Sequence, residues 1–294
     1  MPRSLYVLLT CAAIPVLFGC APAEAPETEV AATAEAEPAS LKLKVLDCGL
    51  LKIEGEEQYG LFSLTAEEAG TDTLSVYCYL IEHPDGRRMI WDGGIPAELA
   101  GKEGWHEAYG IASHLDRTLA DQLADLDLGI SDIDFVAFSH LHWDHVAQGQ
   151  QFTESTLLIQ RPEHEAAFVP EPTVPYFDPA LYATLENNET IILDGDHDVF
   201  GDGSVVIKST PGHTPGHQCL YVNLAETGPV VLSGDLYHFQ ANYELGRVPT
   251  FNFDPEQTVA SMKALDEFLA ESGAELWIEH NSLREMNLAP QFYE

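Results

Sequence analysis

The sequence predicts an α/β domain. Short apolar runs bounded by turn signals, such as TLSVYCYLIE at 73–82, TLLIQ at 156–160 and TIIL at 190–193, read as buried strands. Helical stripes alternate with them: leucines at 115, 119, 123 and 126, then Val259, Met262, Leu265 and Leu269. Residues able to carry chemistry follow directly after strands, where loops on a rigid scaffold aim several side chains at one point.

The N-terminus stands apart. Residues 1–19 pair Arg3 with an apolar run, Leu5 to Phe18, that is too short to span a bilayer comfortably. It ends Leu17-Phe18-Gly19-Cys20, which resembles a bacterial lipoprotein cleavage box, although Phe18 is unusual there. An ordinary secretory signal cut before Glu24 is the alternative. Residues 20–40 are Ala, Pro, Glu and Thr with almost no large apolar groups, so they cannot offset their ordering entropy and are expected to form a tether. The expected product is an exported protein of the periplasm or cell envelope, held to a membrane only by acyl chains on Cys20. The folded domain is expected over 41–294.

Acidic residues number 48 against 13 basic ones, a formal charge of −35 over 294 residues. Such a field repels nucleic acid and polyanionic substrates and suits a neutral or cationic one. Cys48, Cys78 and Cys219 remain after the leader. An odd count excludes a complete disulfide framework. Cys78 and Cys219 read as small core residues, with one disulfide left open.

In chain order, Leu41–Asp47 reads as an edge strand. Thr73–Glu82 and Arg88–Asp92 are strands joined by the turn Pro84-Asp85-Gly86. Ser113–Leu126 is a helix capped by Ser113 or Asp116 and ended by Gly129. Asp132–Ser139 is a strand, and Pro162 opens a short helix where His164 has a surface or supporting place. The prolines of 170–179 mark a stiff excursion around Tyr176 and Phe177 that either walls a pocket or simply packs. Asp194, Asp196, Asp198 and Asp202 read as a hydrated turn rather than a calcium loop. Val205–Lys208, His217–Leu224, Pro229–Ser233 and Glu275–Ile278 are further strands. Asp254 and Pro255 start the last helix, and Gly273 stops it.

The chemistry centres on His140-Leu141-His142-Trp143-Asp144-His145. Imidazole and carboxylate are the ligands zinc takes when thiolate is absent. The spacing H-x-H-x-D-H resembles the metallo-β-lactamase superfamily. Asp92-Gly93-Gly94, Thr210 to His217, Ser233-Gly234-Asp235 and Glu279-His280 follow the same resemblance in order. It implies a four-layer αβ/βα sandwich and two divalent metals, expected to be zinc. His140, His142 and His213 would hold one metal, Asp144, His145 and His280 the other, with Asp235 bridging. Asp92 and His217 would support ligands without touching metal. His at 142, where flavin-linked di-iron members carry Glu, suits hydrolysis. No G-x-S-x-G serine elbow competes.

Within the superfamily, the segments 76–82, 92–96, 210–218 and 247–256 resemble N-acyl homoserine lactone lactonases. That implies opening of a small neutral lactone by a metal-bridging hydroxide, with Asp144 passing a proton to the leaving alkoxide. Trp143 matches a position that often faces the acyl groove, and Trp105, Tyr109 and Phe177 are further candidate contacts. The chain departs from the pattern at one place. Where better-known lactonases have a carbonyl-steadying Tyr it has His238, with Tyr237 one residue earlier, so either is the candidate donor. D-L-Y-H also resembles members that cleave phosphotriesters, so an organophosphate, another ester or a β-lactam is the alternative substrate. Oligomeric state is left open.

Overall fold

The computed structural model describes residues 1, 2, 8, 9, 40–283, 286, 288 and 291–294. The leader, tether and lipidation expectations, Cys20 included, lie outside the described residues apart from a few positions. The chain divides into 1–37 and 38–294, and the fold is that of the second unit. No helix among the described residues is long and apolar enough to cross a membrane.

The elements in order are β1 (Lys42–Lys52), α1 (Glu56–Leu61), α2 (Ala66–Ala69), β2 (Thr73–Glu82), β3 (Arg88–Trp91), β4 (His106–Ala108), β5 (Ile111–His114) and α3 (Leu119–Ala124). Next come β6 (Phe135–Ala137), α4 (Trp143–Val146), β7 (Thr156–Gln160), α5 (Arg161–Ala167), β8 (Thr190–Leu193), β9 (His197–Asp198) and β10 (Val205–Ser209). The last are β11 (Gln218–Leu224), β12 (Gly228–Leu232), α6 (Gln240–Leu245), α7 (Pro255–Ser272), β13 (Glu275–Trp277) and β14 (Phe292–Tyr293).

Two sheets face each other. The larger has nine strands, ordered β4-β5-β1-β2-β3-β6-β7-β8 with β14 also on β1; the smaller runs β13-β12-β11-β10-β9. The alternation of β2 shows why both faces are covered. Val76, Cys78 and Leu80 pack toward Leu119 and Leu123 of α3, while Tyr77, Tyr79 and Ile81 pack against Val205, Leu220 and Trp277 of the second sheet. The outer face of the small sheet, through Cys219 and Val231, takes Met262 and Leu265 of α7. The order is helix, sheet, sheet, helix: the four-layer αβ/βα sandwich.

Several local expectations are corrected. β1 is no edge strand: β2 lies on one side, and β5 and the distant β14 on the other. Ser113 lies on β5, and α3 begins only at Leu119. Its cap is Thr118, whose hydroxyl accepts from Asp121 N, and it ends at Ala124 rather than Gly129. Cys78 is a core residue but not a free one, because it forms a disulfide with Cys48; Cys219 is free and buried. On α7 the buried face is Thr258, Ser261, Met262 and Leu265, while Val259 is 53% exposed. Polar docking explains the rotation. Ser261 Oγ donates to Pro211 O at 2.6 Å, and Thr258 packs so close to Gly212 that a Cβ there would lie 2.3 Å from its backbone N. The aspartates of 194–202 have local partners: Asp194 pairs with Arg161, Asp196 with Lys208, Asp202 with His83, and Asp198 accepts from Gly201 N and Gly203 N.

Candidate metal centre

Four chain segments deliver the candidate ligands. The loop after β6 brings His140, then His142 caps α4, which carries Asp144 and His145 on its first turn. The turn between β10 and β11 brings His213, the turn after β12 brings Asp235, and the chain after β13 brings His280. All are at least nine-tenths buried. Gly234, with φ +48°, allows the turn: a Cβ there would lie 2.5 Å from Ser139 Cβ and 2.8 Å from His217 Nε2.

The side chains gather into three overlapping groups, the third being Asp235, His238 and His280; the first two are the sets the sequence pairs. His140, His142, His213 and Asp235 offer donor atoms within 4.8 Å of one another, and so do Asp144, His145 and His280. His213 Nε2 lies 3.2 Å from His140 Nε2 and 3.1 Å from His142 Nδ1. Asp235 is divided between the groups. Its Oδ2 lies 3.3 Å from His213 Nε2, and its Oδ1 lies 3.0 Å from His280 Nε2 and 3.2 Å from His145 Nε2.

Hydrogen bonds fix which imidazole atoms face inward. His280 Nδ1 donates to Ser75 O at 2.7 Å, His145 Nδ1 donates to Asp92 Oδ2 at 3.1 Å, and His213 Nδ1 lies 2.9 Å from Asn252 Oδ1. Each therefore turns its Nε2 toward the centre. Asp92, at φ +63°, also accepts from Ser139 N and Oγ. His145 Nε2 and Asp235 Oδ1 are buried and close, yet neither has a hydrogen-bond partner. Lone pairs that converge without pairing are what a bound cation satisfies, and nitrogen with carboxylate oxygen is a donor set suited to a divalent transition metal. The residues present fit two such ions.

In the metal-free protein the electrostatics divide the ligands: His140 and His142 are pushed down, whereas the carboxylates, Asp235 foremost, raise His145 and His280 against burial, so a metal must displace protons there. Burial, then the neighbouring imidazoles, push His140 and His142 well below the usual imidazole range, so both are neutral. Burial alone would raise Asp235, but the imidazoles of His238, His145, His280 and His140 hold it well below the usual carboxylate range. Burial opposes charge on His280 too, and there the carboxylate of Asp235 prevails and lifts it to about 9.

The support reaches beyond the residues the sequence singled out. Glu163 is buried and joins two ligand loops, accepting from Leu141 N at 2.9 Å, Thr214 Oγ1 at 3.0 Å and Gly216 N at 2.8 Å. Its sequence signal was weak: one carboxylate in the first turn of an ordinary helix. Ser139, Asn252 and Ser75 were missed as well; of these only Ser139, beside His140, lay near the motif.

A pocket of about 700 Å³, its open mouth included, adjoins the centre. Apolar Leu51, Ile53, Phe62, Leu74 and Trp143 line it, and His142, Asp144, Asp235, His238 and His280 reach it from the metal side. Trp143 and Tyr109 stand where the sequence suggested. Trp105 does not: it lies outside the lining, beside His114 and under Lys52 Nζ. Phe177 lies behind the pocket, its backbone bridged to that of His142. Tyr237 is also away from it, buried against Tyr243 and the α7 cluster, whereas His238 faces it with Nε2 2.9 Å from Asp235 Oδ2.

Comparison with known proteins agrees with this geometry. The model of the metallo-beta-lactamase superfamily matches residues 71–275. The N-acyl homoserine lactonase AttM of Rhizobium radiobacter is 31% identical over 75% of this chain and 88% of its own. The N-acyl homoserine lactonase AiiA of Bacillus thuringiensis subsp. kurstaki is 29% identical over 71% of this chain and 82% of its own. A crystal structure of a B. thuringiensis AiiA mutant with N-decanoyl-L-homoserine bound at the active site superposes with a TM-score of 0.71 and 26% identity, covering 87% of this chain and 99% of that one.

Proposed function

The chain belongs to the metallo-β-lactamase superfamily, and on that premise we propose its function: it is a metal-dependent hydrolase that opens the lactone ring of N-acyl homoserine lactones, the quorum-quenching reaction. The carrying observation is Asp235, divided between two buried ligand groups at the end of an apolar pocket. The lactonase names of its relatives, and the N-hexanoyl-L-homoserine product at the catalytic metal centre of a similar structure, support the same reading.

Two divalent ions, for which we propose zinc, would when bound act as Lewis acids on the carbonyl and supply hydroxide from water near neutral pH. The chain's own residues do the rest. Leu51, Ile53, Phe62 and Trp143 take the acyl chain out of water. Asp144 lines the pocket beside the ligand groups and is the residue placed to deliver a proton to the ring oxygen as the C–O bond breaks. His238 is assigned as the donor at the carbonyl, because it lines the pocket while Tyr237 faces elsewhere. Its single N–H, on the Nε2 that lies 2.9 Å from Asp235 Oδ2, would turn to the carbonyl once that oxygen is taken up by a metal. The product leaves as carboxylate and alcohol with one net proton released. The charge of −35 favours a neutral substrate over an anionic one.

A pH-stat panel tests this. Base uptake with acyl homoserine lactones, and none with paraoxon or nitrocefin, is expected of the metal-loaded protein. Turnover of paraoxon alone would instead favour the phosphotriester reading, for which His238 in the D-L-Y-H segment is the supporting feature.

Export with a lipid on Cys20 belongs to the same proposal. The Cys48–Cys78 disulfide supports an oxidising compartment. Radiolabelled palmitate incorporated by the wild type and lost in Cys20→Ala is the expected result; an unlabelled, freely soluble wild type would exclude it.

A further inference from the structure

Cys48 lies at a bulge in β1. The β1–β2 register pairs Leu46 with Cys78, Asp47 with Tyr77 and Gly49 with Val76, and passes over Cys48. A bulged residue has no partner across the ladder, so backbone pairing does not fix it. What ties Cys48 to β2 is its disulfide to Cys78, which sits in the middle of that strand. Both cysteines are buried.

The bulge supports the turn Asp92-Gly93-Gly94-Ile95. Gly94, at φ +62°, lies so close that a Cβ there would stand 2.4 Å from Cys48 Cβ. Ile95 N donates to Cys48 O at 3.2 Å. On its other side the turn is bonded to α4 and its exit. Gly93 N donates to His145 O, Ala147 N donates to Gly94 O at 3.1 Å, and Gln148 N donates to Gly93 O at 3.0 Å. Asp92, in the same turn, accepts from His145 Nδ1 at 3.1 Å. Position therefore passes from the bulge to the turn, and from the turn to the two ligands that α4 carries, Asp144 and His145. Those two share one metal group with His280. His213, of the other group, sits on the β10–β11 turn and is held by Asn252 instead.

We propose that the Cys48–Cys78 disulfide is a positioning element of the metal centre: by fixing the bulge it seats the Asp92 turn, and with it Asp144 and His145, so that the metal of their group is held tightly only when the bond is formed. This rests on the two-metal reading of the site and not on which ester is cleaved.

The test measures zinc affinity by titration against a chromophoric chelator, and occupancy by native mass spectrometry. Cys48→Ala with Cys78→Ala removes the bond. Wild type refolded under a phosphine reductant removes it without a substitution. Leu224→Ala, at the end of β11 away from the ligand turn, lowers stability without touching the bulge. Both disulfide-free forms are expected to bind the first zinc as the wild type does and the second about 10- to 100-fold more weakly, whereas Leu224→Ala keeps both affinities. Wild-type affinity for both ions without the disulfide, or an equal fall for both, overturns the proposal. So does a chain that does not fold without the bond, since the disulfide would then be a general staple. A wild type that binds fewer than two zinc ions would instead overturn the two-metal reading, and this inference with it.

Discussion

His217 holds Asp235 from behind: the backbone N–H of Asp235 donates to His217 Nε2 over 3.0 Å. The accepting nitrogen must be unprotonated, so Nδ1 carries the proton and donates to Thr210 O at 3.1 Å. Burial, then the neighbouring His213, pushes His217 down to about 3, which keeps it in this neutral form. A histidine 18 residues earlier in the chain thus fixes the backbone that carries the Asp235 carboxylate. His217→Ala is expected to lower stability by about 3 kcal/mol, from the lost volume and the orphaned N–H. It should also weaken metal binding about 10- to 100-fold. Denaturant melts with metal titration check both, and wild-type metal affinity in this variant would sink the argument.

Asp235 itself is the shared group. Asp235→Asn keeps the shape and removes the charge between the two groups. Metal content is expected to fall from two ions per chain toward one, and the rate on the order of a hundredfold. Elemental analysis alongside the pH-stat rate decides it: full activity at two metals would show that no charge is shared there.

Glu163 predicts a coupled loss. Its carboxylate accepts from both the 140–145 and the 210–217 ligand loops. Glu163→Ala orphans those buried donors and is expected to cost about 3 kcal/mol, with metal affinity falling too. A melt that drops while metal affinity stays unchanged would make Glu163 a purely local anchor.

Much of this was legible in the sequence, for physical reasons. Three ligands and a fourth within 140–145 are a local pattern, and β2 and β7 were read with their observed bounds because a strand buried on both faces is a continuous apolar run. Parity was not legible. Tyr237 stands on extended backbone just after the turn and buries itself in the α7 cluster, while His238, one residue on, faces the pocket. Only the turn at Gly234–Leu236 decides which one meets the pocket. Long-range pairing was hidden as well: β1 loses its edge to β14, some 250 residues on, and Cys48 finds Cys78 across the β1–β2 pair. On α7 the stripe holds at Met262, Leu265 and Leu269 and fails at Val259, because the helix also buries Thr258 and Ser261 against Gly212 and Pro211, polar contacts that a search for apolar stripes passes over.

That parity makes a sharp comparison. Tyr237→Phe is expected to leave lactone opening within about twofold of wild type, since the ring packs against Tyr243 away from the pocket. His238→Ala is expected to cut kcat about 10²-fold, the usual scale for one donor at a developing oxyanion. The reverse order of effects would return the role to Tyr237.

His280 links the centre to pH. In metal-free protein its value of about 9 means that Nε2 carries a proton at pH 7, facing Asp235 Oδ1. A raised folded value gives stability that is full below the unfolded value of about 6.5 and is lost as pH rises through about 9. A metal needs the same nitrogen unprotonated, so it must displace that proton. Zinc added at pH 7 in weak buffer is expected to release about one to two protons per chain. The rise in Tm on adding zinc should grow between pH 6.5 and 9, because the metal-free state weakens while proton competition fades. Thermal melts with and without zinc across that window measure it. A zinc-induced gain that is flat or shrinks with pH would mean that His280 does not bind through the nitrogen that faces Asp235.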